Sequence, residues 1–324
     1  MITLAQSKVG RADKVEQMVI EMFLKKSEVL ELLPFANDVS PNGGSTLTYG
    51  YVQEKTPSMA SFRAIGSEYT SNEATVEPKN VKLAIFGGSF EIDRIIKTIE
   101  GQLNNMAYQL EQKISAAVGL FHNAMINGDI TKEENGFDGL DKFLVGTVNE
   151  FGTDAVIDLS TMDKLKENAD VFYEALTNLI NKSSADAILV NEDMKTKIQT
   201  VARVLGYKTE SEEAFGRTIT SINGVRIIDL GNTYSVSGDV VTKTPIINKV
   251  TRGENTGVTD IYAVKFDVND GFHGVTINGD DVVQQYLPDF SQPGALKKGE
   301  VEMVACVALK NANNAGVLRN IKIA

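Results

Sequence analysis

Residues 45–96 constrain the fold of this chain most, because they form a long extended excursion with little apolar surface of its own. The two ends of the excursion, Ser45–Val52 and Val81–Phe86, alternate polar and apolar residues with a period of two, which predicts β-strands. The stretch between them is rich in Thr, Ser and Glu and is interrupted by Pro57 and Pro78. A two-stranded ribbon of this kind is marginally stable at best when it stands alone in water.

Such an arm is stable only when it lies on another surface, which would also cover its unpaired strand edges. No other segment has the pattern of a spare apolar face, so the expected receiver is a second copy of the same chain. The sequence therefore predicts an assembly protein. The side chains that we expect to contact a neighbouring copy are Lys55, Phe62, Arg63 and Tyr69 of the excursion and Met22 and Phe23 near the N-terminus.

The composition is that of a folded acidic protein. The 324 residues suffice for one large domain or two smaller ones. The net charge of −11, from 32 Lys and Arg against 43 Asp and Glu, disfavours nucleic-acid binding by counterion release. Cys306 is the single cysteine, which suits a reducing compartment. The sequence has no signal-peptide pattern and no apolar run of the ~18 residues that span a membrane, so we expect a soluble protein made in the cytoplasm.

Four stretches have the three- and four-residue apolar spacing that predicts amphipathic helices. They cover residues 11–33, 99–126, 158–182 and 191–205. The second stretch, called the spine helix below, would be ~40 Å long at ~1.5 Å per residue. We expect it to be the spine of a domain rather than a coiled-coil strand, because it is short and lacks regular flanking charges. The expected N-terminal caps of the last two helices are Ser160 or Thr161, and Asn191.

The rest of the sequence predicts mainly β-structure. Asn223-Gly224 is a strong hairpin signal between two strands, Thr218–Ile222 and Val225–Leu230. An acidic loop is expected over Glu210–Glu213. Gly87-Gly88 predicts a sharp turn or bulge, and the residues after it are compatible with either strand or helix. Other predicted strands are Ala187–Val190 and most of the segment after Ile246.

No catalytic, cofactor or metal site is predicted. His122 lies on the spine helix without a second ligand at helical spacing, so we expect a structural role. His273 is expected in a loop, facing solvent or an interface. The acidic loops at 129–133 and 267–270 lack the glycine that an EF-hand calcium loop needs at its sixth position. Cys306 stands among small apolar residues and is expected to be buried.

Four short motifs, taken in order, resemble a known protein family. They are Phe62–Tyr69 (FRAIGSEY), Phe86–Arg94 (FGGSFEIDR), Phe121–Asp129 (FHNAMINGD) and Gly136–Leu140 (GFDGL). In this order the chain resembles the major capsid proteins of tailed bacteriophages of the Hong Kong 97 type. It is most similar to the branch called Gp-seven-like, over nearly its whole length.

The resemblance implies an α+β fold, the Hong Kong 97-like capsid fold, and a domain plan. Residues 1–44 would be an N-terminal arm, and residues 45–96 the extended loop that lies over a neighbouring subunit. The peripheral domain would comprise residues 97–154, with the spine helix, and residues 241–324. The axial domain would comprise residues 155–240.

The resemblance also implies a structural protein rather than an enzyme. Subunits would self-assemble through pentamers and hexamers into an icosahedral head that encloses double-stranded DNA without sequence-specific binding. The implied partners are a separate scaffolding protein, a portal and a decoration protein, with no cofactor and no membrane. The implied location is the virion, after assembly in the cytoplasm of a bacterial host. An encapsulin-type compartment, a tail or baseplate protein, and an enzyme with a β-rich accessory domain remain open as alternatives.

Overall fold

The fold is that of a computed structural model, which describes the greater part of the chain. The described residues are 2–3, 22, 26–39, 47–56, 58–95, 105–153, 155–207, 210–214, 217–237, 240–277 and 282–324. Most of the helix predicted over 11–33 lies outside these residues, as does Phe23. Its described C-terminal part forms a short helix, Glu28–Leu32, which ends before Pro34 as expected.

The helices and strands are numbered here in chain order. The α-helices are α1 (Glu28–Leu32), α2 (Asn105–Asn127), α3 (Leu140–Leu144), α4 (Met162–Ser183) and α5 (Glu192–Val204), with a 3-10 turn at Ala312–Asn314. The strands are β1 (Ile2–Thr3), β2 (Pro34–Val39), β3 (Thr48–Thr56), β4 (Thr75–Lys82), β5 (Ala84–Asp93), β6 (Glu150–Phe151), β7 (Ile157–Asp158), β8 (Ala187–Val190), β9 (Glu210–Ala214), β10 (Arg217–Ile222), β11 (Val225–Asp229), β12 (Asn232–Ser237), β13 (Val240–Pro245), β14 (Val250–Arg252), β15 (Asn255–Val264), β16 (Phe272–Ile277), β17 (Val283–Tyr286), β18 (Leu296–Leu309) and β19 (Ala315–Lys322).

The described strands form two large sheets and two separate ribbons. The first sheet has six strands in the order β1-β2-β16-β18-β17, with β5 also paired to β18. The second has nine strands in the order β6-β19-β15-β8-β11-β10-β9, with β14 paired to β15 and β7 to β19. The ribbons are β3–β4 and β12–β13. Among the described strands, the two strands of each ribbon pair only with each other.

The nine-stranded sheet is a wall between two hydrophobic cores. Along β8, Ala187 and Leu189 face the first core and Ile188 and Val190 face the second, and all four are fully buried. A strand covered on both faces must be apolar at every position, which is why this segment is an unbroken apolar run. The prediction of a buried strand here is confirmed. The second core is closed by the apolar faces of α4 and α5.

The spine helix, α2, lies in the first core. Its predicted stripe is buried at Leu110, Ile114, Ala117, Phe121 and Met125. A period of 3.6 residues places these side chains on one face, and that face packs on β5 and β18. The described part of the predicted helix is therefore confirmed.

The predicted caps are present on the two helices of the second core. Thr161 accepts the Lys164 amide at 3.3 Å, and Asn191 accepts the Met194 amide at 2.8 Å. Asn191 also donates to the Ile247 carbonyl at 2.8 Å, so it joins the start of α5 to the segment after β13. Of the two candidate caps for α4, the structure thus uses Thr161.

Three sequence predictions are wrong, each because a strand pairing prevails over a local signal. His273 was expected in a loop, facing solvent or an interface, but lies in β16, where it is fully buried. Glu210–Glu213 was expected as a loop but belongs to β9, which pairs with β10 at the edge of the sheet. Gly87-Gly88 was expected as a sharp turn or bulge but continues β5 in unbroken register with β18. Glycine is needed at position 87 because a side chain there would overlap the backbone carbonyl of Val301.

The turn after the spine helix requires glycine for a related reason. Gly128 ends the helix by donating to the Ala124 carbonyl at 2.9 Å, and its own carbonyl accepts the Gly139 amide at 2.8 Å. A Cβ on Gly128 would overlap the carbonyl oxygens of Phe137 and Ala124. Two of the four motifs that carry the resemblance, one ending at Asp129 and the other spanning Gly136–Leu140, therefore form the two halves of one close backbone contact.

We expect Gly128→Ala to lower the free energy of unfolding by about 1–3 kcal/mol, the usual cost of forcing atoms into a packed site. Urea denaturation of the purified subunit measures this change. Gly136→Ala on the same loop is the control, because a Cβ there would lie 3.3 Å from its nearest neighbour, the Glu133 carbonyl oxygen. Equal stabilities for the two variants would contradict the close-contact explanation.

Candidate functional site

The candidate site is the ribbon β3–β4 and the loop that joins its strands. The strands pair antiparallel from Thr48 opposite Lys82 to Thr56 opposite Thr75, where the two hydroxyl oxygens lie 2.5 Å apart. Nine residues of β3 at ~3.4 Å per residue give a ribbon about 30 Å long. The strands are longer toward the tip than the predicted Ser45–Val52, and the predicted strand Val81–Phe86 is divided at Leu83 between β4 and β5.

The base of the ribbon is anchored to the body of the subunit. Tyr49, Tyr51 and Val81 are buried in the first core, and the rings of Tyr49 and Tyr51 stack with centroids 5.7 Å apart. Burial raises the pKa of Tyr51 to about 12. Gln53 donates from its side-chain amide to the Leu309 carbonyl at 3.2 Å. The ribbon therefore leaves the body from a fixed point.

Beyond the base, none of the ribbon's described side chains is buried against the body of the subunit. Every described residue from Ser58 to Pro78 is exposed. Phe62 and Ile65 are 107% and 105% exposed, which means that they are as accessible as in an unfolded peptide. Met59 and Tyr69 are also exposed. Large exposed apolar patches on soluble proteins mark sites that bind a partner.

The tip is nevertheless ordered by local polar contacts. Asn72 accepts the Met59 amide at 2.8 Å across the loop, and Ser67 donates its amide to the Ala64 carbonyl at 3.2 Å. Arg63 donates to the Ser67 carbonyl at 3.1 Å, and its guanidinium carbon lies 5.2 Å from the centre of the Tyr69 ring. These contacts give the tip a defined shape without giving it a hydrophobic core.

The structure brings together three of the predicted contact residues, Phe62, Arg63 and Tyr69, on this tip. Lys55 lies on β3 of the same ribbon. Met22 is half-buried and packs against the first core of its own chain. Phe23 lies outside the described residues. Their contacts with a second copy stay predictions.

Sequence reasoning missed two features of the surface. Met59 and Ile65 share the tip with the predicted residues, and their apolar character among polar neighbours could have identified them. The second ribbon, β12–β13, was also missed, although Ser237-Gly238-Asp239 between two alternating runs is a hairpin signal. Its exposed apolar side chains are Tyr234, Val240 and Val241. The predicted domain boundary at residue 240 falls at the tip of this ribbon.

The side chains that could take part in catalysis or bind a metal, His122 and Cys306, are buried and held by structural contacts. His122 is bonded to Ser27 and to the Leu230 carbonyl, and burial lowers its pKa to about 4. Cys306 lies inside β18, where burial raises the pKa of its thiol. Within the described ranges, no three His, Cys, Asp or Glu side chains are grouped so that they could hold a metal ion. None of the described helices has the length and apolar character to span a membrane.

Comparison by sequence identifies no relative. No protein-family model matches the chain, and no curated protein matches it either. Its assignment to the Gp-seven-like branch therefore stays a prediction.

Comparison by structure does identify similar proteins. The holo-SrpI encapsulin complex from Synechococcus elongatus PCC 7942 has a chain that superposes with a TM-score of 0.58 at 13% identity, over 91% of this chain and 87% of that one. A chain of Mycobacterium phage Bobi superposes with a TM-score of 0.55 at 12% identity, over 91% of this chain and 90% of that one. A chain from the capsid of a native GTA particle superposes with a TM-score of 0.55 at 10% identity, over 93% of this chain and 91% of that one.

These matches cover nearly the whole chain at identities too low to indicate more than a shared architecture. They agree with the mixed α and β content described above. The α+β prediction is confirmed, and the chain has the Hong Kong 97-like capsid fold that phage capsids and encapsulins share.

Proposed function

We propose that this chain is the major capsid protein of a tailed phage or prophage, a structural subunit that self-assembles through pentamers and hexamers into an icosahedral head. The observation that carries the proposal is the tip of the β3–β4 ribbon, where the side chains of Phe62 and Ile65 are fully exposed. On a Hong Kong 97-like fold, the simplest receiver for such a tip is the next subunit.

The mechanism of assembly follows from the geometry of this contact. The tip and the surface that receives it are different parts of the subunit, so each pairing is head-to-tail, and head-to-tail contacts close into rings when the rotation between subunits permits. Each contact is small, but a subunit in a ring donates one tip and receives another. Many weak contacts held together in a shell become effectively permanent through multivalency.

The proposed domain plan keeps the boundaries of the sequence analysis. Residues 1–44 form the arm, 45–96 the extended loop, 97–154 and 241–324 the peripheral domain, and 155–240 the axial domain. The division into two cores supports this plan, because the second core is drawn mainly from residues 159–227. The predicted contacts of Met22, Phe23, Lys55, Phe62, Arg63 and Tyr69 with neighbouring subunits belong to the same proposal.

Enclosure of double-stranded DNA is the finer part of the proposal. A net charge of −11 keeps free subunits apart and soluble, and an acidic wall lets packaged DNA slide rather than adhere. The proposed partners are a separate scaffolding protein, a portal and a decoration protein. The proposed location is the virion, after assembly in the bacterial cytoplasm.

Electron microscopy of the purified protein tests this proposal. We expect closed polyhedral shells, whereas tubes would indicate a tail protein and dispersed monomers under all assembly conditions would contradict a shell subunit. The content of shells isolated from the native cell separates the two kinds of compartment. Nuclease-protected double-stranded DNA supports a phage head, and a cargo enzyme inside a small uniform shell would instead indicate an encapsulin.

A further inference from the structure

A buried hydrogen-bonded bridge joins three distant parts of the chain. Ser27, the N-terminal cap of α1, lies 2.7 Å through its hydroxyl oxygen from Nε2 of His122 on the spine helix. Nδ1 of His122 lies 2.9 Å from the carbonyl oxygen of Leu230, the residue after β11. Ser27 and His122 are 1% and 4% exposed. We call these three residues the bridge.

The partners of the bridge determine the protonation state of the imidazole. The Leu230 carbonyl can only accept, so Nδ1 carries the proton and donates it. Nε2 is then an acceptor and takes the hydroxyl proton of Ser27. The Ser27 oxygen in turn accepts the Leu30 amide at 3.0 Å. Every hydrogen-bond donor of the bridge therefore has an acceptor when His122 is neutral, and in no other protonation state.

A second proton on His122 would break this arrangement. It would sit on Nε2 and face the Ser27 oxygen, so the hydroxyl proton would lose its acceptor. It would also place a positive charge in the first core. Burial is the main reason that the pKa of His122 falls to about 4, and the bond to Leu230 opposes that shift only in part.

Several charged groups on the three joined segments bond one another or the backbone rather than the ring. Lys26 bonds Glu111 at 2.9 Å, and Arg226 lies 3.8 Å from Glu31. Asp229 accepts the Gly231 amide at 3.0 Å, and burial raises the pKa of its carboxyl. Glu28 follows Ser27 directly on α1, Lys113 lies on the spine helix, and Asp129 after that helix pairs with Lys142 at 2.8 Å. Among the described residues, no carboxylate forms an ion pair with His122.

The bridge joins α1 and the start of the ribbon β12–β13 to the spine helix. Residues 26–33 contain α1 and precede β2, and Leu230 precedes β12, which packs against the spine helix. We propose that the Ser27–His122–Leu230 bridge is a proton-sensitive latch, which when closed holds α1 and the segment before β12 against the spine helix and when open releases residues 26–33. This inference concerns the single subunit and does not depend on the proposed function.

The sign of the pH dependence follows from the two states. The closed latch holds a neutral ring with a pKa of about 4, whereas an exposed ring has its ordinary value of 6.5. The open state therefore binds more protons between these values, and acid favours opening. The latch is fully effective above pH 6.5 and weakens as the pH falls toward 4. Between pH 8 and pH 5 the opening constant should rise about thirtyfold.

Hydrogen exchange of the free subunit, read by mass spectrometry and corrected for the intrinsic pH dependence of exchange, tests the latch. We expect the peptide covering residues 26–33 to lose about thirtyfold protection between pH 8 and pH 5 in the wild type. In His122→Gln, which cannot titrate, protection of this peptide should be independent of pH. Ser183→Ala is the matched control, because it removes a buried hydroxyl from the second core, and it should retain the wild-type response.

Two results would overturn the latch. One is an unchanged pH response in His122→Gln, and the other is a wild-type peptide whose protection does not change with pH. If His122→Gln does not fold, nuclear magnetic resonance of the wild-type imidazoles decides the matter. A His122 ring that titrates near 6.5 in the folded subunit, or that carries its neutral proton on Nε2, would contradict the proposal.

Discussion

A subunit in which Asn-Gly replaces residues 57–74 is expected to fold, remain soluble and fail to close into shells. Thr56 and Thr75 are direct partners in the ribbon, so a two-residue turn can join them without changing the pairing below. The deletion removes the exposed tip but none of the residues that anchor the ribbon. Shell formation should be lost completely, because every contact between subunits that uses the tip is removed at once. Electron microscopy and sedimentation under assembly conditions measure the effect.

A second variant separates the chemistry of the tip from its length. Phe62→Ser combined with Ile65→Ser keeps the loop but removes two large apolar side chains that are fully exposed in the subunit. It should also assemble poorly, with an unchanged free energy of unfolding. Ser58→Ala with Ser71→Ala is the control, since it alters polar positions of the same loop and should assemble normally. Wild-type shells from the truncated subunit would show that the tip is not an assembly contact.

We expect Arg319→Met to lower the free energy of unfolding by about 3–5 kcal/mol, because it breaks a buried ion network by removing its central cation. Arg319 donates from NH1 to Asp141 at 2.8 Å and to Asp260 at 3.0 Å, and from Nε to Glu150. The side chain is only 11% exposed. The substitution would leave these carboxylates partly or fully unpaired at the edge of the nine-stranded sheet.

Arg319→Lys should also be destabilising, since an ammonium group cannot reproduce the fork of guanidinium donors that serves three acceptors. The control is Lys164→Met, which removes one side of an exposed pair with Glu167 at 2.7 Å. Pairs of this kind contribute at most about 1 kcal/mol. Urea denaturation of the free subunits compares all three variants. A loss for Arg319→Met as small as for Lys164→Met would show that the network contributes little to stability.

Local pattern and tertiary pairing account for the successes and failures of the sequence analysis. The apolar stripe of the spine helix and the unbroken run Ala187–Val190 were predictable, because helical and strand periodicities are properties of neighbouring residues. His273 was not, because its burial depends on the pairing of β16 with β18 and β2, which are distant in sequence. The network around Arg319 was equally invisible, since its partners lie 59 to 178 residues away.

By itself the sequence determined that the middle of residues 45–96 builds no core, because that stretch is polar and interrupted by prolines. It also determined the α+β class and the spine helix. Only the tertiary structure decided which part of that excursion is anchored, with Tyr49 and Tyr51 buried and Phe62 in water. The physical reason is that local composition limits how much apolar surface a segment can bury, whereas the site of burial is set by the segments that fold against it.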